Sequence, residues 1–219
     1  MAVLESPYWE TISPIMRELL AWIGRQAFAT RFYLAGGTAL ALRMGHRRSV
    51  DLDFFSETDE VHARTRQELI HSFSARHAQV IENVDGNLLL LADGLHVGFF
   101  SYGYPLLEPV QIVENIGLAS LLDIGLMKLD AVIGRGSRKD FYDLYIISRQ
   151  IPLPELLSAG ERKYPQVRDF PLMALEGLLQ FDNADRDLQP EMLADLPWDN
   201  VRRFFVEQGK VLGGDWFEK

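Results

Sequence analysis

Cysteine is absent from the 219 residues. Its absence excludes disulfides, zinc–thiolate sites and cysteine nucleophiles, and it suits a reducing compartment. Lysine is scarce in a patterned way: the nine basic residues of 1–115 are all arginine, and the first lysine of the chain is Lys128. Long apolar runs are missing too. A stretch such as 88–92 is far too short to span a bilayer. The N-terminal residues include Glu5 and Glu10 and lack the basic, apolar and small-residue succession of a secretory leader, so the expected location is the cytoplasm. Positive charge is in deficit, with 22 Lys and Arg against 31 Asp and Glu for a net −9. That balance argues against coating nucleic acid through bulk electrostatics. It leaves room for an enzyme that touches one nucleic-acid end through a local basic patch.

What is present is ordinary for a globular protein, with 47% hydrophobic and 24% charged residues and enough length for a buried core. Apolar positions at Ile12, Ile15, Met16, Leu19, Leu20, Ile23 and Phe28 form a helical stripe across 8–29. Pro14 within it predicts a helix start near Ser13, with serine as cap and proline at the first helical position. A strand is expected at 31–35, then Gly36-Gly37, a short apolar helix, and a second strand through Asp51 and Asp53. Residues 59–77 read as a surface helix with Val61, Leu69, Ile70 and Phe73 inward. Three strands follow within 78–102, separated by Asp85-Gly86-Asn87 and Asp93-Gly94, which are hairpin signals. After a strand near 110–113 the pattern turns helical, with candidate spans 117–134, 138–149, 154–163, 171–181, 190–195 and 199–211. The expected fold is α+β: a mixed sheet core with the N-terminal helix over 1–115, and a mostly helical region over 116–219 packed against it.

Chemistry concentrates in 34–55. Side chains two apart on a strand share a face, so Asp51 and Asp53 point the same way. Two carboxylates on one face repel unless a cation lies between them, and strands disfavour aspartate; a metal ion resolves both facts, and a solvated surface strand is the bland alternative. Gly36 and Gly37 at a helix head suit a phosphate, or simply a tight turn. Thr38 adds a hydroxyl that bonds a phosphate or caps the helix. Arg47, Arg48 and Ser49 read either as a solvated loop or as phosphate contacts, arginine bonding in a fork. His46 reads as a loop histidine. Lys128, in an apolar helix, either snorkels to the surface or projects into a cleft as a phosphate partner. Asp140 and Asp143 share a face of the next helix, where helix-dipole capping is the plain alternative for Asp140. Such a sheet usually draws a third acid from a neighbouring strand. The candidate strand offers His96 and Gly98 but no carboxylate, and Asp93 serves only if the register shifts.

Taken together, 36–40, the 47–54 segment Arg-Arg-Ser-Val-Asp-Leu-Asp-Phe, Lys128-Leu129 and Lys139-Asp140-Phe141-Tyr142-Asp143-Leu144 resemble the AbiEii/AbiGii-type nucleotidyltransferase toxin family, within the DNA polymerase β-like superfamily. The resemblance covers roughly residues 30–148 in order. It implies a Mg²⁺-dependent transfer of a nucleoside monophosphate from an NTP to a tRNA-like RNA or a protein acceptor. Asp51 and Asp53 would bind metal, and Gly36, Gly37 and Thr38 would hold phosphates. Lys128 would match the family's lysine on the nucleotide, and Asp143 or Asp140 its later acid. Family members act in type IV toxin–antitoxin or abortive-infection systems, with an antitoxin encoded nearby as a separate DNA-binding repressor. No membrane partner is implied. Two other readings remain: a catalytically degenerate nucleotide-binding or interaction protein, suggested by Gly98, and a scaffold without a nucleotide site.

Overall fold

A computed structural model describes residues 2–217, with side chains described through 214. The chain divides into two compact units, Met1–Ser120 and Leu121–Lys219.

The first unit is built on a seven-stranded mixed sheet of order β3-β4-β5-β2-β1-β7-β6. It opens with helix α1 (Pro14–Ile23), which starts where the sequence says: Ser13 Oγ accepts from the Met16 amide at 3.2 Å, and Pro14 occupies the first position. The helix stops at Ile23, and Ala27–Arg31 forms a 3-10 turn, so Phe28 joins the core from outside α1. Strand β1 is only Tyr33–Leu34, and α2 (Gly36–Met44) follows at once. Helix α2 ends in Gly45 at φ 62°, whose amide bonds the Ala41 carbonyl. Arg43 then reaches from α2 to the carbonyls of Ala119 (2.9 Å) and Leu118 (3.2 Å) and to Gln111.

Strand β2 (Asp51–Ser56) pairs antiparallel with β1 and parallel with β5 (Leu95–Ser101). Its even residues Leu52, Phe54 and Ser56 are buried, and its odd residues Asp51, Asp53 and Phe55 are half-buried on the other face. The buried side is an aromatic cluster. Phe54 stacks on Phe99 at 5.2 Å, and Phe99 meets Phe28, Phe32 and Phe73 edge-on at 5.2–5.7 Å. Burying rings of this size on one face contributes a few kcal/mol each, roughly, and fixes the register, because a one-residue slip would exchange the two faces.

Helix α3 (Ala63–Phe73) begins later than its apolar pattern suggests. Val61 is buried before it, at φ 51°, while Leu69 and Phe73 are buried on it and Ile70 is half-buried. The expected meander is β3 (Gln79–Val84), β4 (Asn87–Ala92) and β5, and it extends the sheet from β2. Asp93 and Gly94 both have positive φ, as a two-residue type I′ hairpin requires. Strand β6 (Gln111–Val113) pairs antiparallel with β7 (Ile116–Leu118), which pairs parallel with β1. Residues 117 and 118, expected to open a helix, therefore belong to the sheet.

The second unit is helical: α4 (Leu121–Gly134), α5 (Arg138–Ser148), α6 (Leu153–Lys163), α7 (Phe170–Gly177), α8 (Asp182–Arg186) and α9 (Trp198–Phe217). Helix α4 packs against α5, α6 and α7. Gly125 allows the close approach, since a Cβ there would stand 2.8 Å from a Leu156 methyl. Phe141 gathers Phe181, Trp198 and Phe205 at 5.2–5.7 Å. The expected helix over 190–195 is absent, and this segment is irregular. Side-chain bonds hold it instead: Tyr142 OH donates to the Leu196 carbonyl (3.0 Å) and accepts from the Gln189 amide (2.6 Å).

Candidate active site

Ala35 leaves β1 with its amide bonded to the Asp53 carbonyl at 3.1 Å, which ties the start of α2 to the middle of β2. Gly36 takes φ 65°, a left-handed conformation open to glycine at little cost. A Cβ on Gly36 would lie 3.2 Å from Asp53 Oδ2. The carboxylate therefore faces the glycine turn at the head of α2. Amides at a helix head lack internal acceptors and carry the positive end of the macrodipole, so this is a seat for an anion.

Arg47 is the second component. It is buried, its Nη1 donates to the Arg48 carbonyl at 3.0 Å, and a Cβ on Gly37 would collide with its Nη2. Gly37 is glycine because a guanidinium occupies that space. Burial of Arg47 excludes a merely solvated loop there, whereas Arg48 is exposed. Thr38 neither caps α2 nor stands open. Its hydroxyl donates to the Asp51 carbonyl and lies 2.8 Å from Ser49 Oγ, so it pins α2 to the start of β2. Ser49 is held further by its amide bond to the Thr11 carbonyl at 2.8 Å. His46 is buried rather than in an open loop.

Asp51 and Asp53 share the half-buried face, as their spacing requires. In the register Asp51 stands opposite His96 and Asp53 opposite Gly98. The His96 Nδ1 lies 3.4 Å from Asp51 Oδ1. A Cβ on Gly98 would lie 3.4 Å from Asp53 Oδ1 and would collide with the ring of Phe100, which covers the glycine. No acid rises there. Asp93 does not replace it, being paired with Arg76. Sequence reasoning missed the Phe100 ring and the His96 contact. The strand parity that places Gly98 beside Asp53 also places 96 and 100 on the same face, so the signal existed.

Among the described residues no cluster of three or more His, Asp or Glu is arranged to hold a metal ion. Two carboxylates on one face nevertheless fit Mg²⁺, which is commonly held by one or two carboxylates together with substrate phosphates and water.

Lys128, Asp140 and Asp143 meet in the second unit. Lys128 is buried rather than snorkelling, and its ammonium bonds Asp140 Oδ1 at 2.8 Å and Asp143 Oδ2 at 2.7 Å. Arg135 grips Asp140 with two bonds of 2.9 and 3.0 Å, and Ser137 Oγ donates to it at 2.6 Å. Asp140 therefore closes a charge network rather than serving the helix dipole alone. Burial pushes its pKa up, but Lys128 and Arg135 outweigh burial and hold the carboxyl well below the usual range. A second buried pair, Lys163 with Asp123 at 2.8 Å, joins α6 to α4. The structure thus brings Gly36, Gly37, Thr38, Arg47, Ser49, Asp51 and Asp53 together in the first unit, and Lys128, Asp140 and Asp143 in the second.

The chain is 34% identical to the uncharacterized protein aq_aa25 of Aquifex aeolicus over 89% of its own length and 94% of that protein's. Among solved structures it resembles MenT4, a nucleotidyltransferase toxin of Mycobacterium tuberculosis H37Rv, with a TM-score of 0.59 and 20% identity over 87% of this chain and 80% of that one. It also resembles ANT(2″)-Ia in complex with adenylyl-2″-tobramycin, with a TM-score of 0.54 and 13% identity over 69% of this chain and 98% of that one. At these identities the two structures establish the fold. The family model for the nucleotidyl transferase AbiEii toxin of type IV toxin–antitoxin systems matches residues 17–210. The chain belongs to the AbiEii nucleotidyltransferase toxin family, and it is a nucleotidyltransferase.

Proposed function

We propose that this nucleotidyltransferase transfers a nucleoside monophosphate from an NTP to the hydroxyl of an acceptor, an RNA end in preference to a protein, as the toxin of a type IV pair. The observation that carries this reading is the Asp53 carboxylate facing the Gly36 turn, with Arg47 against Gly37. The β- and γ-phosphates lie on the head of α2 and on Arg47. Asp51 and Asp53 are the residues that hold Mg²⁺, which neutralises triphosphate charge when bound. The acceptor oxygen attacks the α-phosphorus, the bond to the β-phosphate oxygen breaks, pyrophosphate leaves and the hydroxyl proton passes to solvent. Positioning and charge neutralisation account for the acceleration. Lys128 is bonded to both Asp140 and Asp143, so a direct part for Lys128 or Asp143 in the reaction requires those pairs to break. An antitoxin would be a separate chain.

Incorporation of labelled NMP into total RNA and total protein, by the wild type and by Asp51→Asn and Asp53→Asn, tests the assignment. A loss of about a hundredfold or more is expected in each variant, the size seen when a charge-stabilising group is removed. Equal incorporation by all three proteins would reject it. A non-catalytic nucleotide-binding protein is the second reading, favoured by Gly98 standing where a third acid would rise. Calorimetry showing tight Mg²⁺–NTP binding with no incorporation into either acceptor pool would select that reading.

A further inference from the structure

The sheet face bearing Asp51 and Asp53 continues past them in rings. Phe55 follows Asp53 on that face, and Phe100 is its register partner on β5, with ring centroids 5.2 Å apart. Both are half-buried. Phe55 meets Tyr102 edge-on at 5.5 Å, Tyr102 meets Tyr104 at 5.2 Å, and the buried Tyr33 stacks against Phe55 at 6.1 Å. The row begins beside the carboxylate itself, because Phe100 lies over Gly98, whose Cβ position is 3.4 Å from Asp53 Oδ1.

Asp53 has two flanks. Its Oδ2 looks toward Gly36 and its Oδ1 toward Gly98. With the polyphosphate on the Gly36 flank, in-line displacement sends pyrophosphate off on that side and brings the attacking hydroxyl in from the other. The acceptor then approaches over Gly98, Phe100 and Phe55. Beyond His96 and the two carboxylates, this flank offers it aromatic surface. A flat π-faced group stacks there. The net charge of −9 gives phosphates no bulk attraction, so an RNA end held on this face depends on stacking.

We infer that Phe100 and Phe55 form the acceptor subsite and hold the terminal nucleobase of an RNA 3′ end by stacking. This rests on the reaction proposed above. Phe100 carries the larger share, because it borders Asp53 directly. Gly98 is part of the same device, since any side chain there would displace the ring.

The test uses the full chain, a short single-stranded RNA labelled with fluorescein at its 5′ end, and the same RNA lacking its 3′-terminal base. Binding is read by anisotropy without NTP or metal, and KM for RNA and for NTP is read separately by incorporation. Phe100→Ala is expected to weaken RNA binding and raise KM for RNA roughly tenfold, within the range for loss of one base–aromatic stack, while KM for NTP moves less than about twofold. Phe100→Trp is expected to bind like wild type and Phe100→Leu like Phe100→Ala, with circular dichroism confirming that each variant is folded. The abasic RNA should bind wild type as poorly as intact RNA binds Phe100→Ala, and combining both losses should cost no more than either alone. Independent, additive losses, or wild-type binding by Phe100→Leu, would overturn the subsite. A rise in KM for NTP instead of RNA would assign the ring to the nucleotide's own base and equally overturn it. If the wild type incorporates nothing, the proposed reaction fails, while the anisotropy arm still decides whether Phe100 holds a base.

Discussion

Burial and ion pairing pull in opposite directions at Asp140. Removing its carboxylate from water favours the neutral acid, yet Lys128 and the doubly bonded Arg135 keep it ionised well below the usual range. A carboxyl depressed in this way contributes stability that is fully present above its unfolded pKa of about 3.9. That contribution is lost as pH falls through the lower folded value, because the unfolded chain binds the proton first. The unfolding free energy of the wild type should therefore fall more steeply between about pH 4 and pH 2 than that of Asp140→Asn, which cannot titrate there. Urea titrations at several acid pH values measure this, and parallel slopes would show that Asp140 is not the acid-sensitive group. At Gly36 the expected effect is on activity as well. Alanine at φ 65° costs about 1–2 kcal/mol, and its Cβ would crowd Asp53 Oδ2. Gly36→Ala should lose that much stability and about tenfold or more in kcat/KM, the activity loss exceeding what the unfolded fraction explains. The aspartate pair was legible because strand period fixes which side chains share a face. The burial of Arg47 and the bond from Thr38 to the Asp51 carbonyl were not, because they depend on side-chain direction and on contacts between elements distant in sequence.

Elements were legible where local chemistry decides them. Ser13-Pro14 starts α1 because serine satisfies an orphan amide and proline has none to lose. Ser13→Ala should cost about 1 kcal/mol in urea unfolding, with Ser13→Asp close to wild type; equal stability of all three would show that the cap is replaced by another acceptor. The Asp-Gly turns delivered the β3-β4-β5 meander for the same local reason. Elements failed to show where distant partners decide. Ile116-Gly117-Leu118 is too short for a period to register, and parallel pairing with β1 makes it a strand. Residues 190–195 carry apolar spacing enough for a helix, yet the bonds of Tyr142 to Leu196 and Gln189 hold the segment in irregular form. Lys128 stayed open between two readings for a related cause. A lone lysine in an apolar helix reads as a snorkeller until α5 supplies the two aspartates that bury it.

Charge is the property that belongs to the molecule as a whole. If the acceptor is an RNA end, as proposed, an enzyme of net −9 works against its own field, and affinity must come from a few local contacts. Arg48 is the exposed arginine of the 46–49 segment, and the face beyond Asp53 continues in aromatic rings. Binding to single strands loses about 0.7 in log K per phosphate contact for each tenfold rise in salt. Two or three contacts then give a slope of about −1.4 to −2.1, shallow beside that of a protein lined with lysine. The wild type should show this shallow slope for fluorescein-labelled RNA across about 50 to 200 mM salt. Phe100→Ala should show the same slope with weaker binding at every point, because stacking is insensitive to salt. Arg48→Ala, by contrast, should flatten the slope by roughly one contact's worth while leaving binding at high salt nearly unchanged. A wild-type slope steeper than about −4 would mean a broad basic track recruits the acceptor, and the aromatic face would then be a minor contributor to how this acidic chain captures RNA.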